Sequence, residues 1–160
     1  MKKFLFIAFL SIFALSCQKD QTANWKLLDL MEDGFPIAVM APDSAVVSVS
    51  GNLGFLQDIT IDSPEDKYHV QIYASDATTD DIAVVKAELV SDVRSNPFFS
   101  RIVEEEEAGF LYETTIDSTN YYSFRYVFVQ GNQEYIFQTG ISETFNEEEA
   151  KRLLTAVKQK

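Results

Sequence analysis

The stretch "YYSFRYVFVQGNQEYIFQTGI" (residues 121–141) constrains the fold more than any other part of the chain. Tyr122, Phe124, Tyr126 and Phe128 recur at every second position, the period that places side chains on one side of a β-strand. Gly131-Asn132 then interrupts the run, and strand-forming residues resume at once, the signature of a two-residue hairpin. An isolated hairpin is only marginally stable in water, so the rest of the chain must supply further strands or a covering helix. A period-two aromatic stripe usually marks core; the same four residues are also the chain's candidate lining for a ligand groove or a partner surface.

Further strands are legible upstream. "WKLLDL" from Trp25 is ambiguous between a first strand and a helical turn. "GFPIAVMAP" alternates Phe35, Ile37 and Val39, and prolines near both ends suit an edge strand. "AVVSVS" and "LQDITI" follow, separated by the turn signal "GNLG". "KYHVQIYAS" sets Tyr68, Val70 and Ile72 against His69, Gln71 and Tyr73. "FFSRIVEEEEAGFLYETTI" reads as two strands around a turn at Glu107-Ala108-Gly109.

Two segments change period. In "TTDDIAVVKAELVSDVRSNP" the residues Ile82, Val85, Leu89 and Val93 share one helical face. Thr78 with Asp81 reads as a capping box, Asp80 and Asp81 as first-turn acids, and Asn96-Pro97 as the stop. At the end of the chain, Asn146 with Glu149 caps a helix that buries Ala150, Leu153, Leu154 and Val157. Strands and helices do not alternate regularly. The expected class is therefore α+β, an antiparallel sheet with one central and one C-terminal amphipathic helix packed on it.

The order of these elements, with "FPIAVMAP", "GFLYETTI" and "YYSFRYVFVQGNQEYIFQTG" in their places, resembles the PsbP-type and Mog-type α/β/α sandwich over roughly residues 32 to 158. Members of that fold act mainly as binding or assembly modules, in photosystem II or on a small GTPase. The resemblance implies a fold; function must be argued from a site.

The amino terminus, "MKKFLFIAFLSIFALSCQKD", pairs basic Lys2 and Lys3 with an apolar run from Phe4 to Leu15. That run is shorter than the about 20 residues needed to span a bilayer, and it fits a secretory signal. It ends on Ser16 and Cys17, the chain's single cysteine. This ending resembles the bacterial lipoprotein signal of Bacteroidetes type, with Ala14 where the family prefers Leu. The resemblance implies cleavage before Cys17, lipidation of its thiol, palmitate-type acylation, and residence in the outer membrane. "QKDQ" partly resembles the leader that sends such lipoproteins to the cell surface, but Gln21 replaces an acid, so the membrane face stays open. The alternative is an ordinary cleaved signal or a retained anchor that leaves one free thiol. The expected organisation is a signal peptide over 1–16, Cys17 and a polar tether over 17–24, and one domain over 25–160.

Charge narrows the partners. The chain has 13 basic and 25 acidic residues. Without Lys2 and Lys3 the balance is 11 to 25, a net charge near −14. Such a chain lacks the clustered cations that release counterions from nucleic acid. Anionic lipid head groups are disfavoured for the same reason, which leaves the acyl chains as the tether to the membrane.

Catalytic patterns are sparse. His69 is the only histidine, no "GxSxG" elbow is present, and one imidazole does not make a zinc site. His69 is therefore expected as a solvent-facing or hydrogen-bonded strand residue. Calcium needs only oxygen ligands, so Asp62, Glu65 and Asp66, or Asp76, Asp80 and Asp81, are weak candidates without EF-hand spacing. The run Glu104, Glu105, Glu106 and Glu107 reads either as a solvated hairpin end that discourages edge pairing or as a docking site for a basic partner. No cofactor is implied. The leading expectation is a lipid-anchored, non-enzymatic protein-binding or assembly module; next come a small-ligand or calcium-binding lipoprotein and, third, an enzyme.

Overall fold

The computed structural model describes residues 24–50 and 56–159. The signal, Cys17, most of the tether and the "GNLG" turn lie outside the described residues. The described elements are nine strands and two α-helices: β1 (Trp25–Asp29), β2 (Ala38–Pro42), β3 (Val46–Ser50), β4 (Leu56–Ser63), β5 (Tyr68–Asp76), α1 (Ile82–Ser95), β6 (Phe99–Glu105), β7 (Gly109–Ile116), β8 (Thr119–Gln130), β9 (Gln133–Thr139) and α2 (Glu147–Val157). The ambiguous "WKLLDL" is thus a strand. It pairs antiparallel with β2, Leu27 opposite Met40.

Strands β3 to β9 form one seven-stranded antiparallel sheet in the order β3-β4-β5-β9-β8-β7-β6. Two meanders, β3-β4-β5 and β6-β7-β8-β9, are joined where β9 pairs with β5. Helix α1 carries the chain from the central β5 to the far edge at β6. The Gly131-Asn132 turn is as expected, with Gly131 at φ +62° and Gln130 opposite Gln133. The β7–β8 turn is tighter than its sequence advertises: Asp117 and Ser118 both hold positive φ, at +49° and +66°. Two successive left-handed residues give the twist that a two-residue hairpin requires.

Alternation along β7 assigns the layers. Leu111 packs in the larger core with Phe124, Tyr126, Phe137, Leu153 and Leu154. Its neighbours Phe110 and Tyr112 point the other way and pack with Val93 of α1. Helix α2 and the β1–β2 ribbon therefore cover one face of the sheet, and α1 covers part of the other. Each fully buried large apolar side chain contributes about 1.5–3 kcal/mol, so most of the stabilisation lies on the α2 side.

The ribbon is seated by Trp25, whose ring meets Tyr68 edge to face at 5.1 Å and carries the Arg152 guanidinium at 5.2 Å. Gln159 ties the carboxyl-terminal end to β2 through Nε2, which donates to the Ala38 carbonyl at 2.9 Å. Gly109 permits β8 and α2 to approach together, because a Cβ there would stand 2.8 Å from the Arg125 carbonyl oxygen and 3.3 Å from Leu154 Cδ1.

Both helices begin on side-chain caps. Asn146 and Glu149 form the expected reciprocal capping box. For α1 the cap is Asp81, which accepts from the Ala83 and Val84 amides, instead of Thr78. Asp81 is the first residue able to turn a carboxylate back onto open amides. The expected acids therefore precede the first turn, which holds none.

Candidate functional site

Helix α1 packs over β6 and β8 and stops at Ser95, leaving the rest of its sheet face uncovered. Strand register lays a row of side chains straight across this face. Arg125 on β8 stands opposite Gln138 on β9, Gln138 opposite Gln71 on β5, and Gln71 opposite Thr60 on β4. Gln138 Nε2 donates to Gln71 Oε1 at 3.2 Å. Beside this row, the carboxyl-terminal end of α1, strands β7 and β8 and the 140–144 loop enclose a cleft of about 550 Å³. Asn96, Tyr112, Ser123, Arg125, Gln138 and Glu143 are among its lining residues.

Arg125 is the unusual member. It is half-buried, and its guanidinium lies 5.9 Å from the centre of the Tyr112 ring. Among the described residues no carboxylate lies within ion-pair distance of it, although Lys26, Lys67, Lys86, Arg101, Lys151 and Lys158 each have one. An unpaired, partly desolvated cation at the floor of a cleft in so acidic a chain is a ready receptor for an anion. Its charge also reaches Tyr73, where it opposes the upward push that burial and Asp58 give the hydroxyl.

One wall of the cleft is latched by His69. Its Nδ1 lies 2.7 Å from Asp62 Oδ1, and its carbonyl accepts from the Gly140 amide at 3.0 Å. The imidazole occupies the space beside Gly140 so closely that a Cβ there would fall 1.5 Å from His69 Cδ2. Lys67 adds an ion pair to Glu143 at 3.3 Å.

Ser142 also lies against the ring, which brings Asp62, His69 and Ser142 together as a triad would. Its Oγ is 3.3 Å from Nε2 and 3.5 Å from Nδ1. A hydroxyl nearly equidistant from both nitrogens is not aligned on Nε2, where a base must take its proton. In this arrangement the three side chains tie the 140–144 loop to β4 and β5.

The surfaces singled out in the sequence are used internally. Glu104 pairs with Lys151 and Glu106 with Lys158 at 2.7 Å, both towards the α2 side. Glu105 turns the other way to Lys86 of α1, at 3.1 Å. The acidic run clasps both helices to the β6–β7 turn, which explains how neighbouring charges are tolerated. Only Glu107 has no ion pair among the described residues. These pairs engage three of the four glutamates that the sequence offers to a basic partner.

The aromatic stripe is likewise core. Phe124 and Tyr126 are buried, and Tyr122 and Phe128 pack against the same cluster. Among the described residues, α2 and the ribbon pack over this side of the sheet.

The calcium candidates do not converge. Among the described residues no group of three or more His, Cys, Asp or Glu side chains is placed to hold a metal. Asp62 engages His69, Asp66 accepts from Ser44 and Ser63 at 2.7 Å each, Asp76 accepts from Gln133, and Asp81 caps α1. The Ser44 and Ser63 hydrogen bonds hold the Asp66 carboxyl below its usual range. Glu65 and Asp80 are solvent-exposed.

On the α2 face, Glu113 is buried beside Arg101, 2.9 Å away. Burial pushes its carboxyl up, but hydrogen bonds from Ser100, Arg101 and Tyr122 outweigh burial and hold it below the ordinary range.

Arg125, Gln138 and the His69 latch were not anticipated as a site. A signal for the first was present: in "YYSFRYVFV" a charged residue falls between core aromatics on a strand too long to be peripheral. No protein-family model and no curated protein matches the chain.

Proposed function

We propose that the protein is a lipid-anchored, non-enzymatic binding lipoprotein of the bacterial envelope, tethered through Cys17 in the outer membrane, whose α1-face cleft holds a small ligand. The observation that carries the ligand reading is Arg125, without a carboxylate partner among the described residues, at the floor of a cleft of about 550 Å³. That size falls within the roughly 300–1,000 Å³ of small-molecule sites, and polar side chains converge on it. The layering of α1, sheet and α2 supports the PsbP-type likeness. A binding role agrees with the misaligned Ser142 and the absence of a second histidine.

A thermal-shift panel of neutral, anionic and cationic small molecules tests this reading on wild type and on Thr144→Trp, whose new ring fills the cleft from an exposed loop position. Anionic compounds should raise the melting temperature of wild type only. Stabilisation that is equal in the two proteins, or none at all, contradicts it. Palmitate labelling tests the anchor: label should be incorporated and should vanish in Cys17→Ala.

A second reading, assembly with another envelope protein, is favoured by the β1–β2 ribbon, which exposes Leu27, Met31 and Met40. Scattered apolar exposure is common, so this reading ranks second.

A further inference from the structure

We infer that the ligand of the α1-face cleft is a singly charged, hydroxyl-rich carboxylate of the sugar-acid class, with its carboxylate on Arg125. This rests on the cleft being the binding surface proposed above. The charge follows from the lining. Arg125 is the one cation among the residues that bound the cleft, and Glu143 stands among them as an acid. One cation matches one negative charge; a second would face Glu143 with only Lys67 behind it, 3.3 Å from that carboxylate. A doubly charged phosphate monoester is therefore the poorer match.

The rest of the lining selects the body of the ligand. Asn96, Ser123 and Thr144 are neutral, and each both donates and accepts hydrogen bonds. Groups of that kind match alcohols, which do the same. Tyr112 is buried beneath the guanidinium and steadies it, and Tyr121 offers a ring face to C–H bonds, as sugars require. Ile116 and Ile141 supply apolar lips at the solvent edge. A planar guanidinium binds a carboxylate through two parallel N–H···O bonds, so Arg125 fixes the orientation as well as the affinity.

The test is an NMR titration of the full-length protein with D-glucuronate, D-glucose and D-glucose 6-phosphate, in wild type and Arg125→Gln. Glucuronate should shift the Arg125 and Gln138 resonances and bind about tenfold more tightly than glucose or the phosphate ester. Arg125→Gln should lose that tenfold and leave glucose unchanged. Equal binding of glucuronate and glucose, or glucuronate binding undiminished by Arg125→Gln, overturns the inference while leaving a cleft ligand in place. Tighter binding of the phosphate ester overturns the single-charge argument. Silence from all three, when the thermal panel still finds a ligand that Thr144→Trp blocks, overturns the sugar-acid class alone; silence in both experiments removes the reading beneath it as well.

Discussion

The two faces of the seven-stranded sheet are built from adjacent residues of the same strands and differ in almost every physical respect. Facing α2 are Phe124, Phe137, Val70, Ile72 and Ile61, all fully buried. One residue along each strand, facing the other way, are Ser123, Arg125, Gln138, Gln71 and Thr60. The first face is closed by a helix and a ribbon. The second is closed where α1 packs on it, with Val85, Val93, Phe110, Tyr112 and Val127 buried there, and is polar along the row from Ser123 and Arg125 to Thr60. On that face Arg125 sits on a central strand with no carboxylate partner among the described residues, the feature on which the proposed binding role rests. The contrast separates the face that holds the larger core from the face on which binding is proposed.

The largest expected difference comes from truncating one member of each face. Phe124→Ala should cost about 3–5 kcal/mol by transfer and cavity terms. Ser123→Ala, its neighbour on the open face, should stay within about 0.5 kcal/mol. Urea denaturation of both variants measures this directly, and comparable losses would erase the distinction between faces.

Gly140→Ala should cost about 1–3 kcal/mol, because its Cβ expels the His69 ring and breaks the Asp62 contact. The damage should be confined to the latch: amide shifts should concentrate in residues 62, 69 and 140–144, with the α2 core unmoved.

Glu113→Gln should cost about 1 kcal/mol at neutral pH, a modest figure because solvent reaches its partner Arg101. The sign follows from its depressed pKa. A carboxylate held below its usual value of 4.5 stabilises the fold above that pH, and the contribution is lost as pH falls through the folded value. The gap between variant and wild type should therefore close below about pH 4.5 in acid titrations followed by circular dichroism.

Smallest of all, single glutamine substitutions at Glu104, Glu105 and Glu106 should each cost about 0.2–1 kcal/mol, and the cost should shrink in high salt, as exposed ion pairs do. A salt-independent loss would give the clasp a larger role than its exposure allows.

Much of the closed face was legible, because period two in β5 and β8 and period 3.6 in α2 are local signals. Even Arg125 opposite Gln138 follows from the Gly131-Asn132 turn: once Gln130 pairs with Gln133, the register extends five residues to that pair. Other features have no local signal. The pairing of β5 with β9 joins segments separated by the whole central helix and three strands. The lysines that neutralise the glutamate run lie far along the chain on both helices, so the run looked like a free surface. The cleft needs Asn96, Tyr112 and Glu143 brought together by that same long-range topology. The α1 cap was misplaced by three residues because Thr78 and Asp81 satisfy the same short pattern, and only the backbone decides between them.

The central claim, that Arg125 serves a ligand and not the fold, is tested most directly by Arg125→Met in paired melting and binding measurements. Methionine keeps the side-chain bulk over Tyr112 and removes a half-buried charge that has no carboxylate partner among the described residues. The account predicts a melting temperature equal to or above that of wild type, together with loss of anionic-ligand binding. A clear fall in melting temperature with ligand binding intact would contradict it.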